Sequence, residues 1–189
     1  MKRAAAIAAV ASTLGPECAL VACNGMIGRE LFTHGDRDSQ FYMIGSMGLA
    51  SSIGLGLALV QRSRRVVVFD GDGNVLMNLG TLGSVAASGV TNFYHVVFDN
   101  AAHGSTGDQR TISDKVPIEQ VAKAAGYRRV VRVGDPAGLQ AALAGFFVEP
   151  GPAMLLVEVE RGNQPGIKRV EPEPPELTAR FRRAMTPSA

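Results

Sequence analysis

The chain has 189 residues, of which 46% are hydrophobic and 19% are charged. This length suffices for one well-cored domain and falls short of two full ones, and the composition is that of an ordinary globular protein. The net charge of only +2 argues against a strong polyanion-binding surface, so we expect no nucleic-acid partner, and no apolar run is long enough to span a membrane.

The first segment, residues 2–14, is basic at its start and then rich in alanine. We interpret it as an amphipathic first helix with Ile7 and Val10 on one face, rather than as a signal peptide, because its apolar core is short. Cys18 and Cys23 have no further cysteine or histidine at metal-ligand spacing. We interpret them as buried, reduced thiols and expect a cytoplasmic protein.

Short apolar runs and helix-like segments alternate along the rest of the chain. Strands are predicted at residues 19–22, 66–69, 93–98, 130–133 and 154–159. Helices are predicted at residues 26–32, 48–60, 79–88, 117–125 and 136–147. This alternation predicts an α/β fold, a doubly wound and mostly parallel sheet with helices on both faces.

The C-terminal part of the chain has a different composition. Residues 165–175 are rich in proline and charge, which predicts an extended arm, and residues 176–185 have the pattern of a short helix. We therefore divide the chain into a domain over residues 1–162 and a C-terminal arm with a short helix over residues 163–189.

The stretch with the clearest chemical content follows the strand predicted at residues 66–69. It contains Gly71, Asp72, Gly73 and Asn74. Ligands of doubly wound sheets bind at the carboxyl ends of strands, and glycines there allow backbone amides to approach a phosphate. Because the carboxylate of Asp72 would repel a phosphate, its position indicates a Mg²⁺ ion between the two.

A second loop, residues 100–107, follows the next predicted strand and is again rich in glycine and hydroxyl groups. Gly-Asp-Gly alone also occurs in ordinary tight turns, but two such loops on neighbouring strands favour a binding site. The two loops could hold one metal–diphosphate unit between them. Asn100 would offer a side-chain oxygen to the metal, and Ala102 a backbone carbonyl.

Gly71-Asp72-Gly73, the spacer of residues 74–98 and Asp99-Asn100 together resemble the cofactor motif of thiamine diphosphate enzymes. Residues 45–48, 74–80 and 99–111 are similar to sulfopyruvate decarboxylases and phosphonopyruvate decarboxylases, and the resemblance covers roughly residues 15–160. One departure is Asp99, where many thiamine diphosphate enzymes carry asparagine. This position is not a metal ligand.

The resemblance implies that thiamine diphosphate and Mg²⁺ are the cofactors. It implies that Asp72, Asn100 and the Ala102 carbonyl are the metal ligands. Gly73 and Asn74 would donate hydrogen bonds to the diphosphate, from the same loop as Gly71.

The resemblance also implies cofactor contacts from other loops. Met47 would be the large apolar residue under the bent cofactor, and the Gly45 carbonyl would face the aminopyrimidine amine, with Ser46 between them. Asn24 and Gly25 would lie near the diphosphate.

Residues that follow the metal ligands complete the implied site. Gly104 and Ser105 would contact the cofactor from the second loop. His103 would be the catalytic proton donor, and Thr106 and Gln109 could face an acidic group of the substrate. The alternative is that Ser105 and Thr106 only order the loop and that His103 is exposed to solvent. No role is assigned to His34.

In this family the glutamate that activates the aminopyrimidine ring lies on a separate pyrimidine-binding domain of comparable length. Only 18 residues precede the first predicted strand. We therefore expect a β-type subunit that pairs with an α-type subunit in a hetero-oligomer. Its small 2-keto acid substrate would be sulfopyruvate or phosphonopyruvate.

Two other interpretations stay open from the sequence. One is half of a thiamine diphosphate-dependent carboligase or oxidoreductase, and the other is a phosphate-binding regulatory module without catalysis. A nucleotide-binding module is disfavoured, because no Gly-Lys-Ser/Thr follows a glycine loop, and Leu76 stands where the third glycine of Gly-x-Gly-x-x-Gly would be.

Overall fold

Helices and strands alternate along residues 1–186, the part of the chain that the computed structural model describes. The strands are β1 Ala19–Ala22, β2 Gln40–Tyr42, β3 Val66–Gly71, β4 Phe93–Asp99, β5 Ala102–His103, β6 Gln109–Arg110, β7 Arg129–Val133 and β8 Ala153–Glu158. The helices are α1 Arg3–Ala11, α2 Met26–His34, α3 Ala50–Val60, α4 Asp72–Leu76, α5 Gly80–Ala87, α6 Ile118–Ala125, α7 Pro136–Phe146 and α8 Pro174–Met185.

Six of the strands form one sheet in the order β2-β1-β3-β4-β8-β7, and every neighbouring pair is parallel. The central strands β3, β4 and β8 are buried at all positions but their last. Continuous burial is what a parallel strand needs when helices cover both faces of its sheet, and it explains the β-branched run at Val66, Val67 and Val68. The predicted α/β class with a parallel sheet is confirmed.

The helices that cover the sheet form two groups. Helix α1 packs against α2 and α7, while α5 packs against α3 and α6. Both α6 and α7 contact the edge strand β7 and its neighbour β8, so the sheet lies between the two groups. None of the helices in residues 1–186 is long and apolar enough to cross a membrane.

Strand β1 is the point at which the order of the strands reverses. It pairs with β2 on one side and with β3 on the other, so the chain leaves β1 in one direction and later returns to its opposite edge. The loops after β1 and β3 therefore diverge to opposite sides and leave a crevice at the carboxyl ends of the strands. Such a crevice is the usual ligand site of a doubly wound sheet.

Four small elements were not predicted from the sequence. Strand β2 has only three residues and depends on its pairing with β1. Helix α4 begins at Asp72, where the Gly-Asp-Gly pattern indicated a loop. Strands β5 and β6 form an antiparallel pair of two residues each, within the loop predicted at residues 100–107 and just beyond it.

The C-terminal segment returns to the sheet. Residues 159–173 contain no helix or strand, and α8 then packs against β2 through its buried residues Leu177, Phe181 and Met185. The Phe181 ring lies 5.4 Å from that of Phe41, centroid to centroid. The boundary predicted at residue 162 stays a prediction, and residues 187–189 of the predicted arm lie outside the described part.

Candidate functional site

A cavity lies at the carboxyl ends of β1, β3 and β4, in the crevice that the strand order creates. Residues predicted for the site come together there from four separate segments of the chain. Those that line the cavity are Asn24, Met47, Gly71, Asp72, Gly73, Asn74, Asn100, Ala102, His103, Gly104 and Ser105. The structure therefore brings most of the predicted residues to one place.

Three other predicted residues stand outside this group. A Cβ atom on Gly25, whose φ is +90°, would lie 3.3 Å from the Ser105 hydroxyl, so Gly25 lies directly behind the cavity wall. Gly45 and Ser46 instead line a second cavity beside α8. Ser46 has a φ of 57°, a left-handed conformation that is uncommon for a residue with a side chain. The structure does not bring Gly45 and Ser46 to Asp72, and their cofactor contacts stay a prediction.

Asp72 is the first residue of α4 and is only 2% exposed. One of its oxygens, Oδ2, accepts a hydrogen bond from the Thr111 hydroxyl. Burial, together with the nearby carboxylate of Asp99, raises the pKa of Asp72 to about 6, although the hydrogen bond from Thr111 acts in the opposite direction. A buried carboxylate of this kind is stabilised in its charged form by a bound cation.

Asn100 and Ala102 face Asp72 from the end of β4. Oδ1 of Asn100 accepts the backbone amide of Ala102 at 3.2 Å, which fixes the orientation of the side-chain amide. Its Nδ2 is buried and has no hydrogen-bond partner among residues 1–186. Ala101 between them has a φ of 52°. A strained residue next to an unpaired buried amide is typical of a loop shaped for a ligand.

These residues fit a magnesium–diphosphate unit. One carboxylate, one amide oxygen and one carbonyl are the hard oxygen ligands that Mg²⁺ takes, with the remaining positions left to diphosphate and water. Within residues 1–186, no group of three or more His, Cys, Asp or Glu could hold a metal. The candidate site is compatible with that finding because it contains only one carboxylate ligand.

The side chain of Asn74 makes its hydrogen bonds within the protein. Its Oδ1 accepts the backbone amide of Gly48 at 2.5 Å, and its Nδ2 donates to Oδ1 of Asp70. Both polar groups of the side chain are therefore used within the protein. Only the backbone amide of Asn74 is left to reach a diphosphate. The side chain connects the metal loop, residues 71–74, to the loop that contains Met47.

His103 lies against the metal loop. A Cβ atom on Gly73 would be 2.6 Å from Nδ1 of the His103 ring, so only glycine at residue 73 leaves the imidazole in place. The ring is partly exposed to the cavity. An imidazole in this position can transfer a proton to a group bound in the cavity.

Five lining residues were not predicted. They are Arg3, Cys23, Met26, Ile27 and Phe98. Cys23 is a free, buried thiol whose pKa is raised well above its usual value by burial. Thr111, the partner of Asp72, was also missed as an individual contact. The sequence offered no local signal for Arg3, because α1 reaches the cavity only through its packing on α2.

Comparison with known proteins agrees with this geometry. Residues 21–157 match the family model of the thiamine pyrophosphate enzyme, C-terminal TPP binding domain. The chain is 43% identical over 184 residues to phosphonopyruvate decarboxylase of Streptomyces hygroscopicus, which covers 97% of the chain. It is 44% identical over 164 residues to sulfopyruvate decarboxylase subunit beta of Methanothermobacter thermautotrophicus, which covers 86% of the chain and 84% of that subunit.

The lengths of these relatives differ. The chain spans 46% of the Streptomyces hygroscopicus protein, so that relative contains about as much sequence again. The crystal structure of benzoylformate decarboxylase from Polynucleobacter necessarius has the same fold, with a TM-score of 0.71 at 19% identity. That match covers 87% of this chain and 34% of the larger one.

Proposed function

Because the chain belongs to the thiamine pyrophosphate enzymes, through their C-terminal TPP-binding domain, we propose that it is the diphosphate-binding, β-type subunit of a 2-keto acid decarboxylase. The observation that carries this proposal is the cavity in which Asp72, Asn100 and the Ala102 carbonyl meet at the strand ends. The relatives named as decarboxylases match nearly the whole chain, which supports the same reaction class.

Mg²⁺ would be held by Asp72, Asn100 and the Ala102 carbonyl, and it would hold the diphosphate in turn. Thiamine diphosphate, when bound, supplies the nucleophilic carbon and the electron sink for decarboxylation. The chain anchors the charged end of the cofactor with the metal ligands and with the backbone amides of Gly73 and Asn74, at the start of α4.

Two side chains of this subunit would act near the reacting end. Met47, from the loop that Asn74 ties to the metal loop, would support the cofactor in its bent shape. The His103 imidazole, held against Gly73, would donate a proton during the reaction. The contacts of Asn24, Gly25, Gly104 and Ser105 with the cofactor belong to the same proposal.

The activating glutamate would come from an α-type partner with a pyrimidine-binding domain. Three large apolar side chains in the segments next to Met47 and directly after α4 are exposed: Ile44 at 71%, Met77 at 62% and Leu49 at 44%. Exposed apolar groups around the rim of a site indicate a surface that another protein covers. The relative of similar length, named subunit beta, supports the same arrangement.

The proposed substrate is sulfopyruvate, giving sulfoacetaldehyde and CO₂, or phosphonopyruvate, giving phosphonoacetaldehyde and CO₂. The names of the two relatives described above support these two acids about equally. Both carry a strongly acidic group one carbon from the 2-keto acid. The enzyme that binds either one therefore needs cationic or hydrogen-bond donors near the reacting end of the cofactor.

The proposal is tested by purifying the chain alone and together with a subunit that carries the pyrimidine-binding domain. CO₂ release from each acid is measured with thiamine diphosphate and Mg²⁺. We expect activity only in the assembled complex, and its loss in Asp72→Asn. The exposed Asp38 provides the control Asp38→Asn, which should leave activity unchanged.

Two results would contradict the proposal in different ways. Full activity of the chain alone would remove the need for a partner. Mg²⁺-dependent cofactor binding that survives Asp72→Asn would remove the metal assignment. Formation of a carbon–carbon bond between two substrates, in place of a released aldehyde, would favour a carboligase.

A further inference from the structure

Arg3 is the first residue of α1, and its guanidinium is fixed by a buried carboxylate. Nε donates to Oε2 of Glu30 and Nη2 to Oε1, each at 2.8 Å. The two residues are 6% and 3% exposed. A bidentate pair of this kind fixes the plane of the guanidinium as well as its position. Arg3 therefore reaches the wall of the cavity in one defined orientation.

The same guanidinium is joined to the second loop of the site. Nη2 also donates to Oδ1 of Asn163 at 3.0 Å, and Nδ2 of Asn163 donates to the Gly104 carbonyl at 2.8 Å. Arg161 similarly donates to the Ala101 carbonyl at 2.9 Å. The segment after β8 thus holds the backbone of the second loop at a fixed distance from Arg3.

One terminal nitrogen of Arg3 is left without a partner. Nη1 makes no hydrogen bond within residues 1–186, and it lies 3.7 Å from the point that a Cβ atom on Gly104 would occupy. The unpaired Nδ2 of Asn100 lies 3.6 Å from the same point. Oδ1 of Asn163, which accepts a hydrogen bond from Nη2 of Arg3, lies 3.5 Å from this point. The two donors therefore border one space together with this oxygen, and the space stays open because residue 104 is glycine.

This arrangement suits an oxyanion. A donor that is buried without an acceptor, as Nδ2 of Asn100 is, destabilises a fold, so its position beside the unpaired Nη1 of Arg3 at a ligand site indicates an acceptor that arrives with the ligand. The unpaired Nη1 of the charged guanidinium can donate a charge-assisted hydrogen bond to a phosphate or sulfonate oxygen. Because Glu30 already offsets the charge of Arg3, the arginine stays buried and ordered before any ligand binds.

We propose that Nη1 of Arg3 and Nδ2 of Asn100 form an oxyanion subsite beside Gly104, which binds an oxygen of a phosphate- or sulfonate-type group. Two such groups can reach this space: the diphosphate of the cofactor and the acidic group of the substrate. Their identities rest on the proposed function, whereas the donor geometry does not. Arg3 would thus be a binding residue supplied by the helix that precedes the first strand.

The test uses variants that change Arg3 and its partner Glu30 separately or together. Glu30→Gln keeps Arg3 and removes the competing carboxylate, while Arg3→Gln combined with Glu30→Gln removes both charges and leaves no buried ion unpaired. Arg62→Gln, at an exposed arginine, is the matched control. Calorimetry on the full chain measures the binding of inorganic pyrophosphate and of thiamine diphosphate, each with Mg²⁺. The assembled enzyme gives KM and kcat for each keto acid.

We expect the double variant to lose roughly 10- to 100-fold in affinity for the group that the subsite binds, the usual worth of a hydrogen bond to a charged group. Glu30→Gln should bind that group at least as tightly as the wild type. Weaker binding of pyrophosphate and thiamine diphosphate would assign the subsite to the cofactor. An unchanged cofactor affinity with a raised KM for the keto acid, at similar kcat, would assign it to the substrate.

The proposal is overturned if the double variant matches Arg62→Gln in both measurements while circular dichroism shows a folded chain. If the double variant unfolds, Arg3→Lys replaces it in the comparison with Arg62→Gln. The single nitrogen of the lysine would pair with Glu30 and leave no donor for the subsite. Failure of the proposed function gives a different result: the wild-type complex would release no CO₂, although the Arg3-dependent binding of pyrophosphate persisted.

Discussion

Thr111 donates a hydrogen bond from its hydroxyl to Oδ2 of Asp72, and the two oxygens lie 2.5 Å apart. Thr111 follows the β5–β6 hairpin, and its hydroxyl also accepts from the amide of Ser113. The bond therefore connects the end of the second loop to the carboxylate at the start of α4. In the proposed function, this bond would hold Asp72 in the orientation from which its other oxygen binds Mg²⁺.

Replacement of Thr111 by valine keeps the shape of this side chain and removes its hydroxyl. Groups that orient a metal ligand typically contribute 10- to 100-fold to metal affinity, and we expect a loss of about that size in Mg²⁺-dependent binding of thiamine diphosphate. Isothermal titration at several Mg²⁺ concentrations measures it. Thr178→Val, on the exposed side of α8, is the matched exchange and should bind as the wild type does.

Asn74 connects two loops of the site, so its replacement should affect stability and cofactor binding together. Asn74→Ala leaves the Gly48 amide without an acceptor and Oδ1 of Asp70 without one of its donors. We expect the free energy of unfolding to fall by about 1–3 kcal/mol, the cost of an unsatisfied buried group. Urea unfolding, with and without Mg²⁺ and thiamine diphosphate, measures both effects.

Asn74→Asp is the informative companion to this variant. The aspartate keeps an acceptor for the Gly48 amide but places a second carboxylate against Asp70. Like charges at this distance in a buried site repel strongly, so we expect Asn74→Asp to be less stable than Asn74→Ala at neutral pH. Equal stability of the two variants would mean that the contact with Asp70 contributes little.

Replacement of Gly73 should affect the catalytic rate much more than the stability of the fold. Gly73→Ala would place a Cβ atom 2.6 Å from the His103 ring, which must move. Because residue 73 lies inside α4, alanine gains helix propensity there, and we expect stability to change by less than about 1 kcal/mol. The catalytic rate of the assembled enzyme should nevertheless fall, because the imidazole is displaced.

Gly83→Ala is the matched control, since residue 83 lies in α5 and a Cβ atom there meets nothing within 4 Å. It should raise the free energy of unfolding by about 0.5–1 kcal/mol and leave activity unchanged. If both glycine variants kept full activity, the position of His103 against Gly73 would have no catalytic importance.

Elements with a hydrophobic pattern of their own could be predicted from the sequence, whereas elements that depend on distant contacts could not. Strands β3 and β4 were predicted closely, because unbroken β-branched and apolar runs are characteristic of strands buried on both faces. Strand β2 was missed, since three residues carry no periodicity and its existence depends on β1. Helix α4 was missed because glycines on both sides of Asp72 favour a turn in isolation. In the structure, this segment forms a helix directly after β3.

The site divides along the same line. Asp72, Asn100 and the residues beside them line the cavity, and they could be predicted as one group because the motif is short and follows predicted strands. Arg3 was not found, because only the packing of α1 on α2 brings it to Glu30 and the cavity. The internal use of the Asn74 side chain was also invisible, since its partner Gly48 lies 26 residues away in sequence.

The exposed apolar residues Ile44 and Met77 are expected to lie in the interface with the α-type subunit. Ile44 and Met77 are 71% and 62% exposed in this chain, and they border the loop of Met47 and the end of α4. A charged residue at the centre of a protein interface must lose its hydration without gaining a partner, which typically costs several kcal/mol. We therefore expect Ile44→Glu and Met77→Glu to weaken binding of the α-type subunit by about 100-fold or more.

Val148→Glu is the matched control, because Val148 is equally exposed, at 78%, but precedes β8 and so lies at the opposite end of the sheet. Analytical ultracentrifugation of each variant with the partner subunit measures assembly, and titration with thiamine diphosphate checks that the diphosphate site is intact. Disruption of the complex by Val148→Glu alone would place the interface at the amino ends of the strands. The cavity could not then close against a partner, because its lining segments, residues 71–74 and 100–105, lie at the carboxyl ends of the strands.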